Sequence, residues 1–337
     1  MLKPINGGIQ MRKYLDANII ENTKDMPKDE WLMKRKCGIG GSDASSILGL
    51  NPYRSSMAVY IDKIDEEIRC NQMDNGLKEN AVSKNNETNY KMELGNKLKG
   101  FVASEFMLRT GKKVRSINGI LRNDKYPFAI ANIDRAVVGE KAFLECKVTN
   151  SFNKKEWSKT VPIHYQIQMN HYMAVTGASH CYVAALIGNE ELVIHKLERD
   201  KEMIDEIMKL EEMFWNNCVL GDDFPMPDGS SDYSKTLDVL YKDSKEEELI
   251  LFEAESILDR YDEVVSLYKG FEKEKKAIEQ YLKLQMQNYE IPYAGDRKIT
   301  WKKQERNTID TTRLKKEHPE IVAGYMKTTT SRVLKIM

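Results

Sequence analysis

The sequence predicts an α/β fold of the mixed α+β kind, and three observations carry that expectation. Apolar and polar residues alternate from Ile120 to Thr149 on both sides of Gly139–Glu140, the mark of paired strands around a tight turn. A helical stretch from about His164 to Thr176 then runs to a stop at Gly177, and CYVAALIGN with ELVIHKLE adds two further strands. Helical spacing precedes this strand-rich centre at residues 92–110 and follows it at 200–219.

Taken in order, residues 1–37 are polar and carry only weak helical signals. GIGGSDASSILGLNPYRS (38–55) packs glycines before a serine–aspartate pair, so Ser42 or Asp43 reads as the N-cap of a helix ending near Gly49. A second helix is expected from Ser55 or Ser56 to about residue 67. Residues 71–90 are asparagine-rich and aperiodic, which predicts a mobile loop. Leu94, Leu98, Phe101, Val102 and Phe106 then follow helical spacing, with Gly111 as the stop. After the central strands and helices, GDDFPMPDGSSDYS (221–234) is a turn-rich linker, dividing a domain of residues 1–228 from an extension of residues 235–337. In the extension, positions from Ile250 to Gln285 step by alternating fours and threes, a heptad seam that predicts a long helix or helical hairpin. A short β-hairpin around Gly295–Asp296 and a short helix from Pro319 to Met326 complete the expectation. Residues 241–290 hold 8 basic and 13 acidic side chains, whereas 291–337 hold 11 basic and 5 acidic, so charge reverses along the extension.

Composition excludes several classes. The chain has 337 residues, roughly two domains' worth. Its 52 basic and 52 acidic residues cancel, which still allows a basic channel balanced elsewhere and so does not exclude nucleic acid. No run approaches the ~18 apolar residues of a membrane helix, and the first twenty residues lack the apolar core of a secretion signal. The five cysteines are scattered without a C-x-x-C, against a disulfide framework, zinc ribbon or iron–sulfur cluster and in favour of the cytoplasm. No Walker motif, GxGxxG or nucleophile elbow is present.

The sharpest chemical pattern is Asp134 … Glu145-x-Lys147. With the turn at Gly139–Glu140, Asp134 falls directly opposite Glu145, where cross-strand Cβ atoms approach to about 4.5–5.5 Å. Two carboxylates that close repel unless a cation sits between them, so Asp134 and Glu145 are candidate ligands of a divalent ion. Lys147 shares a strand face with Glu145 and can hold an attacking water or steady charge on a phosphate. This is the arrangement phosphodiester hydrolysis requires; the bland alternative is an exposed, salt-bridged hairpin. Gln168 and Tyr172 lie four apart on one helix face, as a second functional pair or a hydrogen-bonded surface pair, with His164 and Tyr165 on the turn before. Arg35 and Ser42 flank the glycines and can converge on one phosphate at a helix N-terminus, or serve only in capping.

At these residues the chain resembles the YqaJ viral recombinase family, phage alkaline exonucleases related to λ exonuclease within the PD-(D/E)XK nuclease superfamily. Three motifs stand in family order: R…GGSDA (Arg35 to Ala44), D…E-x-K, and Q-x-x-x-Y, over about residues 30–225. The resemblance implies a restriction-endonuclease-like mixed β-sheet flanked by helices, and an exonuclease dependent on Mg²⁺, with Mn²⁺ as substitute. It implies degradation of one strand of double-stranded DNA from the 5′ end, leaving a 3′ overhang for a single-strand annealing protein. It further implies a homo-oligomer, a ring-shaped trimer, working in the cytoplasm of a bacterial host of phage or prophage. By carry-over, Asp134 and Glu145 hold metal, Lys147 positions the water, Gln168 and Tyr172 support the site, and Arg35 with Ser42 takes the terminal 5′-phosphate. One position departs. The family's G-x-x-(hydrophobic)-E helix reads Gly95-Asn96-Lys97-Leu98-Lys99 here, so an expected acidic ligand is a lysine, which has no acceptor to offer a metal. Glu93 and Glu105 are each six residues away, on another helix face. The departure implies weakened metal binding, or a catalytically disabled protein that keeps the fold for DNA binding or partner docking.

Overall fold

The computed structural model describes residues 12–64, 90–252 and 254–336. It divides into two compact units, Met1–Asp243 and Ser244–Met337. The expected asparagine-rich loop lies, but for Tyr90, outside the described residues.

The first unit opens with β1 (Lys13–Tyr14), β2 (Ala17–Asn22), α1 (Lys28–Arg35), β3 (Ile39–Gly40), α2 (Gly41–Ile47) and α3 (Ser56–Lys63). The long α4 (Tyr90–Thr110) leads into β4 (Val114–Arg115), β5 (Gly119–Asn123), β6 (Tyr126–Ala131), β7 (Arg135–Val137) and β8 (Ala142–Thr149). Then come α5 (Lys154–Trp157), α6 (Ile163–Thr176), β9 (His180–Ile187), β10 (Glu191–Glu198), α7 (Lys201–Phe214) and α8 (Ser231–Leu240).

The mixed sheet flanked by helices is present, divided into two five-stranded sheets of order β1-β2-β5-β6-β3 and β10-β9-β8-β7-β4. The chain leaves the first sheet at Ala131 and enters the second at Arg135, so Asn132–Asp134 lies at the passage between them. Strand β8 runs parallel to β9, which demands a crossover, and α6 supplies it. Every residue of α6 from Ile167 to Thr176 is buried, because the helix packs against α2, α7 and the first sheet at once. Gly177 ends it with φ +74°, a conformation in which an added Cβ would run into Asp16. At the helix centre His171 is bonded through Nδ1 to Glu211 at 2.7 Å and through Nε2 to the Ile130 carbonyl at 2.9 Å. Burial alone would strip its charge, but Glu211 outweighs it and keeps the imidazole's pKa raised. Helix α4 covers the opposite face of the second sheet, with Val102 and Phe106 against Leu144 and Cys146.

Three expectations need correction. The N-cap of α2 is Gly40; Ser42 and Asp43 lie inside the first turn, and Asp43 Oδ2 instead accepts the Gly40 N–H at 3.0 Å. The expected helix 200–219 is α-helical only to Phe214, then widens into a π turn over Trp215–Val219. The linker is also too long. Asp232 accepts the Ser55 N–H and hydroxyl at 2.9 Å and Tyr233 is buried, so α8 belongs to the first unit, which ends at Asp243 rather than 228.

The second unit is built on α9 (Glu255–Met286), a hairpin of β11 (Tyr293–Ala294) and β12 (Arg297–Lys298), and helices α10 (Thr311–Glu317) and α11 (Pro319–Ala323). Helix α10, capped by Asp310, has no counterpart in the sequence expectation; its polar sequence buries nothing and so shows no periodicity. Among the described residues no helix is long and apolar enough to cross a membrane.

Candidate active site

The β7–β8 hairpin pairs Arg135 with Leu144 and Ala136 with Phe143, so one step further Asp134 stands opposite Glu145 as its spacing predicts. Asp134 Oδ2 accepts the Cys146 N–H at 2.9 Å, which continues the hairpin and fixes the carboxylate. Alternation along β8 sends Leu144 and Cys146 under α4 and turns Glu145 and Lys147 to the other face, towards α6. Glu145 is buried; its Oε1 lies 2.9 Å from Lys147 Nζ, and its Oε2 is buried with no partner among the described residues. Burial first, and the neighbouring Asp134 second, push the Glu145 carboxyl above the ordinary range against the pull of Lys147 and Lys99.

Lys147 is held from a second side. Its ammonium donates to Gln168 Oε1 at 2.9 Å, and Gln168 Nε2 donates to the Tyr172 hydroxyl at 3.1 Å. Burial, then Glu145, hold the Tyr172 phenol well above its usual pKa, so it stays protonated. Tyr172 packs so closely on the first turn of α2 that a Cβ on Gly41 would stand 2.5 Å from its ring, which only glycine allows. On that same turn Ser42 Oγ accepts from Arg35 Nη2 at 3.2 Å, and the Arg35 guanidinium lies 4.7 Å from the Trp31 ring centroid.

Lys99 reaches the site from α4, one turn before the buried Val102, and its Nζ lies 2.8 Å from Asp134 Oδ1. Burial disfavours the ammonium, but Asp134 and Glu145 outweigh it and its pKa is raised. All seven residues singled out from the sequence, and Lys99, line one cavity of about 360 Å³. Trp31, Asn118 and Asn132 line it as well and escape sequence reasoning, since nothing in their spacing marks them.

The metal expectation meets a mixed donor set. Among the described residues no group of three or more His, Cys, Asp or Glu stands where it could hold a metal ion. Asp134 and Glu145 together fit one divalent cation, because Glu145 Oε2 is a buried carboxylate oxygen that no described residue satisfies. Asp134 Oδ1 is already neutralised by Lys99, so a cation drawing on both carboxylates competes with that ammonium. The two lysines and two carboxylates sum to zero charge, leaving little field to attract a dication.

Two opposed carboxylates, a lysine two residues on, and a Gln–Tyr helix behind them thus stand together in one site. The chain belongs to the YqaJ-like viral recombinase domain family, whose model matches residues 30–179. The protein YqaJ of Bacillus subtilis strain 168, itself uncharacterized, is 36% identical over 319 residues, 93% of this chain and 95% of that one. Among solved structures, the alkaline exonuclease LHK-Exo of Laribacter hongkongensis is 20% identical with a TM-score of 0.43, over 57% of this chain and 92% of its own. A phage-related exonuclease from Haemophilus somnus 129PT is 15% identical with a TM-score of 0.38, over 53% and 93%.

Proposed function

We propose that this protein is a metal-dependent DNA exonuclease of the phage recombination type, degrading one strand of duplex DNA from its 5′ end. The observation that carries the reading is convergence: Asp134, Glu145 and Lys147, the Gln168–Tyr172 pair and the Arg35–Ser42 pair face one cavity. Arg35 and Ser42 supply donors for a terminal 5′-phosphate, and a guanidinium suits a phosphate's paired oxygens. Lys147, held by Glu145 and Gln168, presents its remaining N–H to the attacking water or to the scissile phosphate, where negative charge grows. Asp134 and Glu145 would hold Mg²⁺, or Mn²⁺ in its place; when bound, such an ion polarises the phosphate and acidifies water. The resulting 3′ overhang would pass to a single-strand annealing protein, and the enzyme would work as a homo-oligomer, a trimer by family resemblance, in the cytoplasm of a phage-bearing bacterium.

The test is incubation of the protein with 5′-phosphorylated duplex in Mg²⁺ or Mn²⁺, following nucleotide release. Release should occur from the 5′ end, and Lys147→Ala should abolish it while circular dichroism shows the fold retained. Full activity in that variant sinks the role given to Lys147. The Lys99–Asp134 bridge favours one second reading, a DNA-binding protein with a disabled site; end-specific binding with no release in either metal would establish it.

A further inference from the structure

Beside the catalytic cavity lies a larger one, of about 470 Å³, whose walls carry the chemistry of a flat heterocycle's binding site. One side is aromatic. The rings of His164 and Tyr165 lie 4.1 Å apart, Tyr53 meets His164 edge-on at 5.9 Å, and Trp157 backs Tyr165 at 5.5 Å. Asn150 and Asn189 line it too, and a carboxamide offers both donor and acceptor. His164 Nε2 is shielded from solvent and has no hydrogen-bond partner among the described residues. Tyr165 is the wall between the two cavities: Lys147 Nζ, which lines the catalytic one, lies 4.3 Å from its ring centroid.

We propose that this aromatic pocket receives the nucleobase next to the scissile phosphate. The inference rests on the DNA reading and deepens it. A base hangs one sugar away from its phosphate, so a phosphate at Lys147 brings the base to the far side of Tyr165. Every base has a π-face for Tyr53 and His164 and an edge for the carboxamides of Asn150 and Asn189, which rotate to suit donor or acceptor. Such a pocket grips without reading sequence, as an enzyme that consumes DNA of any sequence requires.

The test is the affinity of the full chain, in EDTA so that nothing is cut, for 5′-phosphorylated duplexes with a base or a tetrahydrofuran abasic residue. The abasic residue is placed at the first or the second nucleotide. At one of these positions, base removal should weaken binding by roughly tenfold or more, the scale of one stacked base. Tyr53→Ala, at a side chain 71% exposed and so neutral to folding, should lose as much on the intact end and nothing further on the abasic one. Tyr53→Phe should keep native affinity. Equal binding of intact and abasic ends at both positions overturns the pocket, as does a Tyr53→Ala loss of the same size on both. Nucleotide release by the native protein in Mg²⁺ is measured alongside. Release without a base effect sinks the pocket alone; absence of both release and end binding sinks the DNA reading with it.

The second unit carries an independent inference. Among the described residues little covers the heptad seam of α9: Ile257, Tyr261, Val264, Tyr268, Phe271 and Ile278 are each at least 45% exposed, and Leu282 is half-buried. Its first half, Glu255–Tyr268, holds four acidic side chains and one basic, and its second half, Lys269–Met286, five basic and three acidic. We infer that the occupant of this seam is the same helix of a second copy, running antiparallel. In that register Ile257 faces Leu282, Tyr261 faces Ile278, Val264 faces Lys275 and Tyr268 faces Phe271, while the acidic half lies against the basic half. A parallel pair would set Lys275 against Lys275 and acidic half against acidic half. Light scattering of the full chain should give an even-numbered particle, two trimers joined where the trimer of the proposed function holds, whose mass Phe271→Asp halves. Cysteines placed together at positions 257 and 282 should cross-link copies, whereas cysteine at 257 alone should not. An unchanged mass in Phe271→Asp, or cross-linking through position 257 alone, overturns the antiparallel pair.

Discussion

At the scale of single residues, Lys99 decides the most. It stands where a cation would, 2.8 Å from Asp134, and satisfies in the metal-free protein a carboxylate that would otherwise repel Glu145. Replacing it by glutamate changes the local charge by two and adds an oxygen ligand. Lys99→Glu should bind Mg²⁺ more tightly by calorimetry and release nucleotide about tenfold faster or more, each tenfold being ~1.4 kcal/mol of barrier. In EDTA the same variant should melt lower, because three carboxylates then crowd one site. If metal affinity and rate both stay put, Lys99 is not a competitor. Arg35 makes a different forecast: Arg35→Ala should weaken use of 5′-phosphorylated ends more than 5′-hydroxyl ends, since the lost partner is a phosphate dianion. Equal losses would remove Arg35 from the end pocket. These residues were legible in the sequence because turn and strand spacing alone place Asp134 against Glu145 and Lys147 beside them. Gly41 was not, since its role is the absence of a Cβ against a ring more than a hundred residues away, and no local pattern records that.

At the scale of elements, α1, α2 and α3 are tied by a buried charge cluster around Asp43. Its carboxylate meets Arg54 Nη1 at 2.8 Å and Lys63 Nζ at 3.0 Å, and Lys63 also donates to the Arg35 carbonyl at 3.0 Å. The cluster thus anchors the end of the helix that presents Arg35. Burial alone would push the Asp43 carboxyl up; Lys63, Arg54 and Arg35 outweigh it and hold it well below the usual carboxylate range. A depressed folded pKa means stability that is fully present above the unfolded value, ~3.9, and lost as pH falls towards the folded one. Melting temperature should therefore decline steeply below about pH 4 in the native protein. Asp43→Ala should cost about 3–5 kcal/mol at neutral pH, since Lys63 is left buried and uncompensated, and should flatten the acid decline. A denaturant titration in which Asp43→Ala matches the native midpoint would refute this. The sequence marks Asp43 as a cap because a serine–aspartate pair before an apolar run usually is one. Its partners come from Arg54 and Lys63, whose convergence depends on how α3 folds back over α2, a tertiary fact.

At the scale of the whole molecule, the long helix and terminal hairpin were legible because a heptad stripe and a Gly–Asp turn are local signals. The end of the first unit was not, because α8 joins it through Asp232 and Ser55, far apart in sequence. Every residue lining the cavity around Asp134 and Glu145 belongs to that unit, which ends at Asp243. Limited digestion at Glu246–Glu248, in the stretch before α9, should leave a fragment of about that length that melts cooperatively and keeps nucleotide release. A fragment that loses cooperative melting would show that the second unit is needed for the first to fold. The bare seam of α9 has a further consequence, in the arithmetic of capture. On the proposed function, a particle paired through that helix carries at least two copies of the unit that would handle DNA ends. Once one copy holds one terminus of a broken duplex, the partner meets the other at an effective concentration set by the connecting chain, not by the bulk solution. Loss of the pairing would then leave the reaction at each isolated end intact and slow only the processing of two ends of the same break.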